Sequence, residues 1–174
     1  MTARGAGAAR PLSPIRWLGL PMLFCAVATV VFATPIKVFG LQLPQPVFAL
    51  VPAFAWAVIR PSILPPFALL VLGLFLDVFG GGVHGLWPLC LLVAYAATLS
   101  ARRLIFNQDF LVTWAWYALI ATAAFAVAYI VMTMNSGAPL ALLACAWPWL
   151  TTVALFPFAH RLIQRYEDAD VRFR

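Results

Sequence analysis

Residues 60–103 read RPSILPPFALLVLGLFLDVFGGGVHGLWPLCLLVAYAATLSARR, and the punctuation of this stretch decides the fold. Two apolar blocks, Ile63 to Phe79 and Leu86 to Ser100, are separated by Gly80-Gly81-Gly82 and bracketed by Arg60-Pro61 and Arg102-Arg103. A helix crossing a hydrocarbon core of roughly 30 Å takes about 20 mostly apolar residues. Both blocks approach that length, and glycine's large helix penalty ends the first before the second begins. Pro65 and Pro66 lie in the first turn of their block, where a missing N–H removes nothing the helix uses. The stretch predicts a helical hairpin in a membrane, with both arginine-bearing ends on the same side.

The rest of the chain repeats the pattern. A first block runs from Trp17 to Phe39 and a second from Leu43 to Ile59, the latter cut by Pro44, Pro46 and Pro52. A fifth spans Phe110 to Met134 and a sixth Leu140 to Leu162, parted by the turn residues Asn135 to Pro139. The second and third blocks are short enough that length alone leaves open whether they cross completely. The first block has the basic start of a secretory signal but a longer apolar run, so a retained helix is expected. Apolar residues make up 65% of the chain and charged ones 9%, whereas about a quarter of average composition is charged. The expectation is an all-α integral membrane protein. Six transmembrane helices occupy 17–162, between a basic tail at 1–16 and a second tail at 163–174.

The net charge of +6 could suggest nucleic acid, but no basic stripe runs along a helix, so no nucleic-acid partner is expected. The basic residues instead sit at block ends. With the N-terminus inside, ten arginines (4, 10, 16, 60, 102, 103, 161, 165, 172 and 174) are cytoplasmic and only Lys37 is outside. That asymmetry is what the positive-inside rule describes, and it predicts both termini in the cytoplasm. Five spans would throw Arg102 and Arg103 across the membrane, and a re-entrant second and third block would bury Arg60.

Few residues could carry chemistry. Cys25, Cys90 and Cys145 fall in separate apolar blocks and read as small hydrophobes; with no C-x-x-C or Cys/His cluster, neither metal nor cofactor is expected. Asp77 is the one acidic residue inside an apolar block. Two readings are open for it. It caps backbone N–H groups freed at Gly80 to Gly82, or it meets a partner or small ligand. Under a capping role the Asp77→Asn variant keeps most function, since asparagine caps about as well as aspartate. Gly73 lies one turn before Asp77 and Gly81 one turn after, a small-residue spacing that lets another helix approach, so this face is a candidate for docking a partner's helix. His84 reads as a loop histidine, and His160 as suited to a helix C-terminus. Pro148, between Trp147 and Trp149, is expected to kink the sixth helix. No second membrane carboxylate, G-x-S-x-G elbow or Walker motif is present, so no catalysis is expected.

The run Gly73-x3-Asp77-x3-Gly81-x3-Gly85 following Arg60-Pro61, with Trp147-Pro148-Trp149 and Phe156-Pro157 in the last span, resembles the rod shape-determining protein MreD family. His84 and the triple glycine depart from that family's usual pattern. The resemblance covers nearly the whole chain and marks Arg60, Pro61, Gly73, Asp77, Gly81, Gly85, Trp147 and Pro148 as its structural or partner-binding motif. It implies a non-catalytic membrane component of the bacterial elongation machinery. The partners it implies are a bitopic MreC-like protein, an actin-like MreB filament, and a SEDS polymerase with its transpeptidase. The six-helix arrangement also resembles the substrate-binding subunits of energy-coupling-factor vitamin transporters. That likeness supplies the alternative, a small-ligand-binding transport subunit.

Overall fold

The protein is seen in a computed structural model that describes residues 18–33, 37–38, 41–42, 45–59, 61–80, 82–105, 108–137, 141–157 and 160–161. Both expected tails, Arg60 and Gly81 lie outside the described residues. Among the described residues six helices follow in order: α1 (Leu20–Ala33), α2 (Leu50–Ile59), α3 (Leu64–Gly80), α4 (Leu86–Ile105), α5 (Phe110–Ser136) and α6 (Leu142–Ala154). Between α1 and α2 the chain adds a minimal antiparallel hairpin of β1 (Lys37–Val38) and β2 (Leu41–Gln42), which pairs Lys37 with Gln42 and Val38 with Leu41. Nothing in the apolar pattern predicts it.

Proline places the helix starts. Pro52, Pro65, Pro66 and Pro88 all fall in the first turns of α2, α3 and α4, where the ring's fixed φ suits the helix and its absent donor is not needed. Pro46 acts differently, because the residue before a proline is pushed out of the helical region. The second block is therefore helical only from Leu50 on, seven residues later than its apolar start at Leu43 suggests. Gly137 ends α5 with a left-handed φ of 66° and donates its N–H to the Thr133 carbonyl at 3.0 Å, the usual glycine stop.

From α2 on, short connections make successive helices neighbours; α4 packs against α2, α3 and α5, and α1 packs against α3. The interior is α2 itself: Pro52 to Val58 are all buried, and Ala53, Phe54 and Ala57 are at most 1% exposed. Phe54, Tyr117 and Phe156 join α2 to α5 and α6 through ring centroids 4.6 to 5.7 Å apart, in edge-on and stacked pairs of the kind aromatic quadrupoles favour.

The outward faces are apolar instead of polar. Leu23, Phe67, Val78, Leu111 and Leu142 are each more than 60% exposed. Among the described residues two helices, α4 and α5, are long and apolar enough to cross a membrane. At about 1.5 Å per residue the 10-residue α2 reaches only about 15 Å, half a hydrocarbon core. Six full helical spans are thus not what helix length gives, because an apolar block counts residues whether or not they are helical.

Candidate functional site

The motif residues of the third and fourth blocks converge on one corner, where α3 ends and α4 begins. Gly85 turns the chain with φ of +90°, a left-handed conformation that any Cβ would strain, which explains a glycine there. A helix start leaves its first N–H groups without partners, and here every one can be accounted for. The Gly85 N–H donates to Asp77 Oδ2 at 2.6 Å and the Trp87 N–H to Asp77 Oδ1 at 3.0 Å. The Leu86 N–H finds the Val83 carbonyl, Pro88 has no donor, and Leu89 N–H closes on the Gly85 carbonyl. Asp77 is only 2% exposed, and its carboxyl group is held by two backbone donors at the N-terminal end of α4.

This corrects the expected cap in one respect. Asp77 caps the start of the next helix, at Gly85 and Trp87, whereas the expected cap was placed at the Gly80 to Gly82 break, of which Gly81 lies outside the described residues. It also decides the fate of Gly73. A Cβ on Gly73 would lie 2.5 Å from both Cα and N of Pro88, so the two backbones touch at that point. The close approach that Gly73 permits is made by the chain's own α4. The expected docking face takes in the Gly80 to Gly85 segment as well, where Gly80, Gly82, His84 and Gly85 are exposed, so α4 occupies only its Gly73 part.

The other motif residues lie elsewhere. Pro61 is exposed in the α2–α3 loop, at the opposite end of α4, where the Tyr95 hydroxyl donates to the Ser62 carbonyl at 3.3 Å. Arg102 donates from Nε to the Val58 carbonyl at 3.0 Å, satisfying one of the last acceptors of α2 with a cation at its negative end. Trp147 is 54% exposed on α6, and Pro148 sits inside that helix as expected. His84 is exposed in the turn before Gly85. His160 packs against the rings of Phe110 and Phe156, with its Nδ1 buried and without a hydrogen-bond partner.

One residue to which the sequence pattern assigns no role is Thr152, which is fully buried. Its hydroxyl donates to the Pro148 carbonyl at 2.6 Å and accepts the Val47 N–H at 3.0 Å. Val47 follows Pro46 in the non-helical approach to α2, so its donor has no helical acceptor. A threonine one turn beyond a mid-helix proline is the signal that could have found it. Thr152→Val keeps the shape but strands a buried donor, and should cost roughly 1–3 kcal/mol. A thermal unfolding curve that reads Cys25 and Cys90, both buried and free, with a thiol-reactive dye would measure the loss.

A shallow depression along α5 is lined by Leu111, Val112, Ala115, Trp116 and Leu119, all apolar or aromatic. Among the described residues no cluster of His, Cys, Asp or Glu could hold a metal. Comparison of the chain with family models, with curated proteins and with solved structures gives no match.

Proposed function

We propose that this protein is a six-span component of the bacterial inner membrane that belongs to the MreD family and organises cell-wall elongation by binding partners, without catalysis. The observation that carries the reading is the α3–α4 corner. Gly73, Asp77 and Gly85, the residues that carry the resemblance, each have a distinct and mutually dependent task there: close approach, cap and turn. A motif whose members cooperate in one structural unit is better support than spacing alone.

Two further observations support the membrane assignment. Only 39% of the most apolar window of α4 and 22% of that of α5 is buried within the chain, whereas the core helix of a water-soluble protein is mostly buried. Contiguous apolar surface on that scale calls for lipid or a partner. The described arginines also share one end. Arg102 and Arg103 close α4, α5 starts five residues beyond Ile105, and its Phe110 ring meets His160 beside Arg161 at 5.0 Å. That end faces the cytoplasm under the positive-inside rule, with both termini on the same side.

In this reading the chain binds a bitopic MreC-like protein in the membrane and, through it, the MreB-like filament and the SEDS polymerase with its transpeptidase. The docking surface lies away from the part of the corner that α4 occupies. Co-purification of the tagged protein from native membranes tests the proposal. A bitopic partner of the elongation machinery should be recovered, and depletion should round the cells. Recovery of a tightly held small molecule with no protein partner, in cells of normal shape, would replace it with the transport-subunit alternative.

A further inference from the structure

Gly73 on α3 meets Pro88 on α4, so both helices can be measured from one level. Toward the arginine-bearing end α3 runs nine residues back to Leu64, about 14 Å at the helical rise. From Pro88 to Arg102 α4 runs fourteen residues, about 21 Å. The last turn of α4 therefore overhangs the start of α3 by roughly 7 Å and forms a ledge. The ledge carries Arg102, half-buried, and Arg103, exposed. Beside it stand the exposed Pro61 and Ser62, and the Tyr95 hydroxyl holds the Ser62 carbonyl against α4 at 3.3 Å.

The cations on this ledge are short of anions. Arg102 uses its Nε on the Val58 carbonyl, which fixes the guanidinium beside the end of α2 and leaves both Nη groups as donors. Among the described residues no carboxylate pairs with Arg102 or Arg103, and the Ser62 hydroxyl makes no hydrogen bond. A planar guanidinium with free Nη groups matches the oxygens of a phosphate. The ledge also opens sideways onto apolar surface, where Ile63, Leu64 and Phe67 are 79%, 53% and 64% exposed. On α4 the exposed Leu89, Ala96, Leu99 and Arg103 recur at helical spacing on one face, so a chain lying along that face ends at the arginine. A free anion or an acidic peptide would meet the arginines and leave this surface bare. A phospholipid covers both.

We propose that the ledge at the start of α3 is a binding site for an anionic phospholipid, with the phosphate on Arg102 and Arg103 and the acyl chains along the exposed faces of α3 and α4. The inference rests on the membrane reading above and adds to it the class of lipid that this face takes. The full-length protein in a neutral detergent is titrated with dioleoylphosphatidylglycerol, or with dioleoylphosphatidylcholine, whose ammonium group neutralises its phosphate. Native mass spectrometry counts the bound lipids at each concentration. An arginine near an anionic headgroup contributes about fivefold in affinity, so phosphatidylglycerol should bind roughly tenfold more tightly than phosphatidylcholine. Equal binding of the two lipids overturns the proposal but leaves the membrane reading intact. No lipid bound from either titration overturns both. Displacement of phosphatidylglycerol by excess inorganic phosphate would make the ledge a site for the free anion and overturn the lipid assignment.

Two single substitutions tie the preference to the ledge. The Arg103 side chain is exposed and bonds nothing among the described residues, so Arg103→Gln removes a charge without disturbing the packing. Phosphatidylglycerol affinity should fall about fivefold, with phosphatidylcholine binding unchanged. Arg161 is exposed at the same end, but it follows His160, which packs on Phe110 at the start of α5. Arg161→Gln removes the same charge away from the ledge and should stay within about twofold of wild type, since salt screens distant charges. Equal losses at the two positions would mean diffuse attraction to the whole arginine-bearing end and overturn the site.

Discussion

Asp77→Leu should destabilise the protein by roughly 2–6 kcal/mol, because two part-buried N–H groups, those of Gly85 and Trp87, lose the buried Asp77 as acceptor together. Asp77→Asn should fall between. Asparagine keeps one acceptor oxygen and presents an NH2 group to the second donor, so about half of the loss is expected, roughly 1–3 kcal/mol. On the sequence alone, asparagine is expected to retain most function; engagement of both carboxylate oxygens is what changes that expectation. Thiol-dye unfolding of the three proteins in the same detergent gives the order. A leucine variant as stable as wild type would remove the cap from the account.

Gly73→Ala carries the second large effect. The added methyl would sit 2.5 Å from two backbone atoms of Pro88 and 2.9 Å from its Cδ. A flexible side chain could swing away from such a contact, but a proline ring and backbone cannot, so α3 and α4 must separate. Overpacking of this kind costs roughly 1–3 kcal/mol or more, and separation also lengthens the Asp77 bonds, so the loss should be at the upper end. Gly80 is the internal control. It ends the same helix with open space around it, and Gly80→Ala should change stability by less than about 0.5 kcal/mol. Equal tolerance at the two positions would mean that the helices do not meet at Gly73.

Much of this corner is legible in the residues. The third apolar block spans Ile63 to Phe79, and α3 runs from Leu64 to Gly80; the fourth block starts at Leu86, where α4 begins. Glycine and proline punctuate so strongly that short-range chemistry fixes those limits. What short-range chemistry cannot give is the partner of a side chain. The sequence leaves Asp77 as either a cap or a contact for a partner or ligand, and the donors it reaches lie eight and ten residues on, where only the fold brings them back. Pro88 holds a clue: a proline in the first turn announces a helix start, and a helix start needs acceptors. The same limit hides Thr152, whose donor partner Val47 is 105 residues away. The delayed start of α2 is hidden for another reason, since a count of apolar residues ignores the backbone that Pro46 withholds from the helix.

The membrane assignment turns above all on which side each end of the bundle faces. Reporter fusions after Arg103, at Arg174, near Gly40 and at Gly137 measure that directly, using one reporter active only in the cytoplasm and another active only outside it. Arg103 and Arg174 should read cytoplasmic, Gly40 and Gly137 periplasmic, as the shared end of Arg102, Arg103 and Arg161 requires. A periplasmic signal at Arg103 would place α4 in the opposite sense and contradict the six-span arrangement.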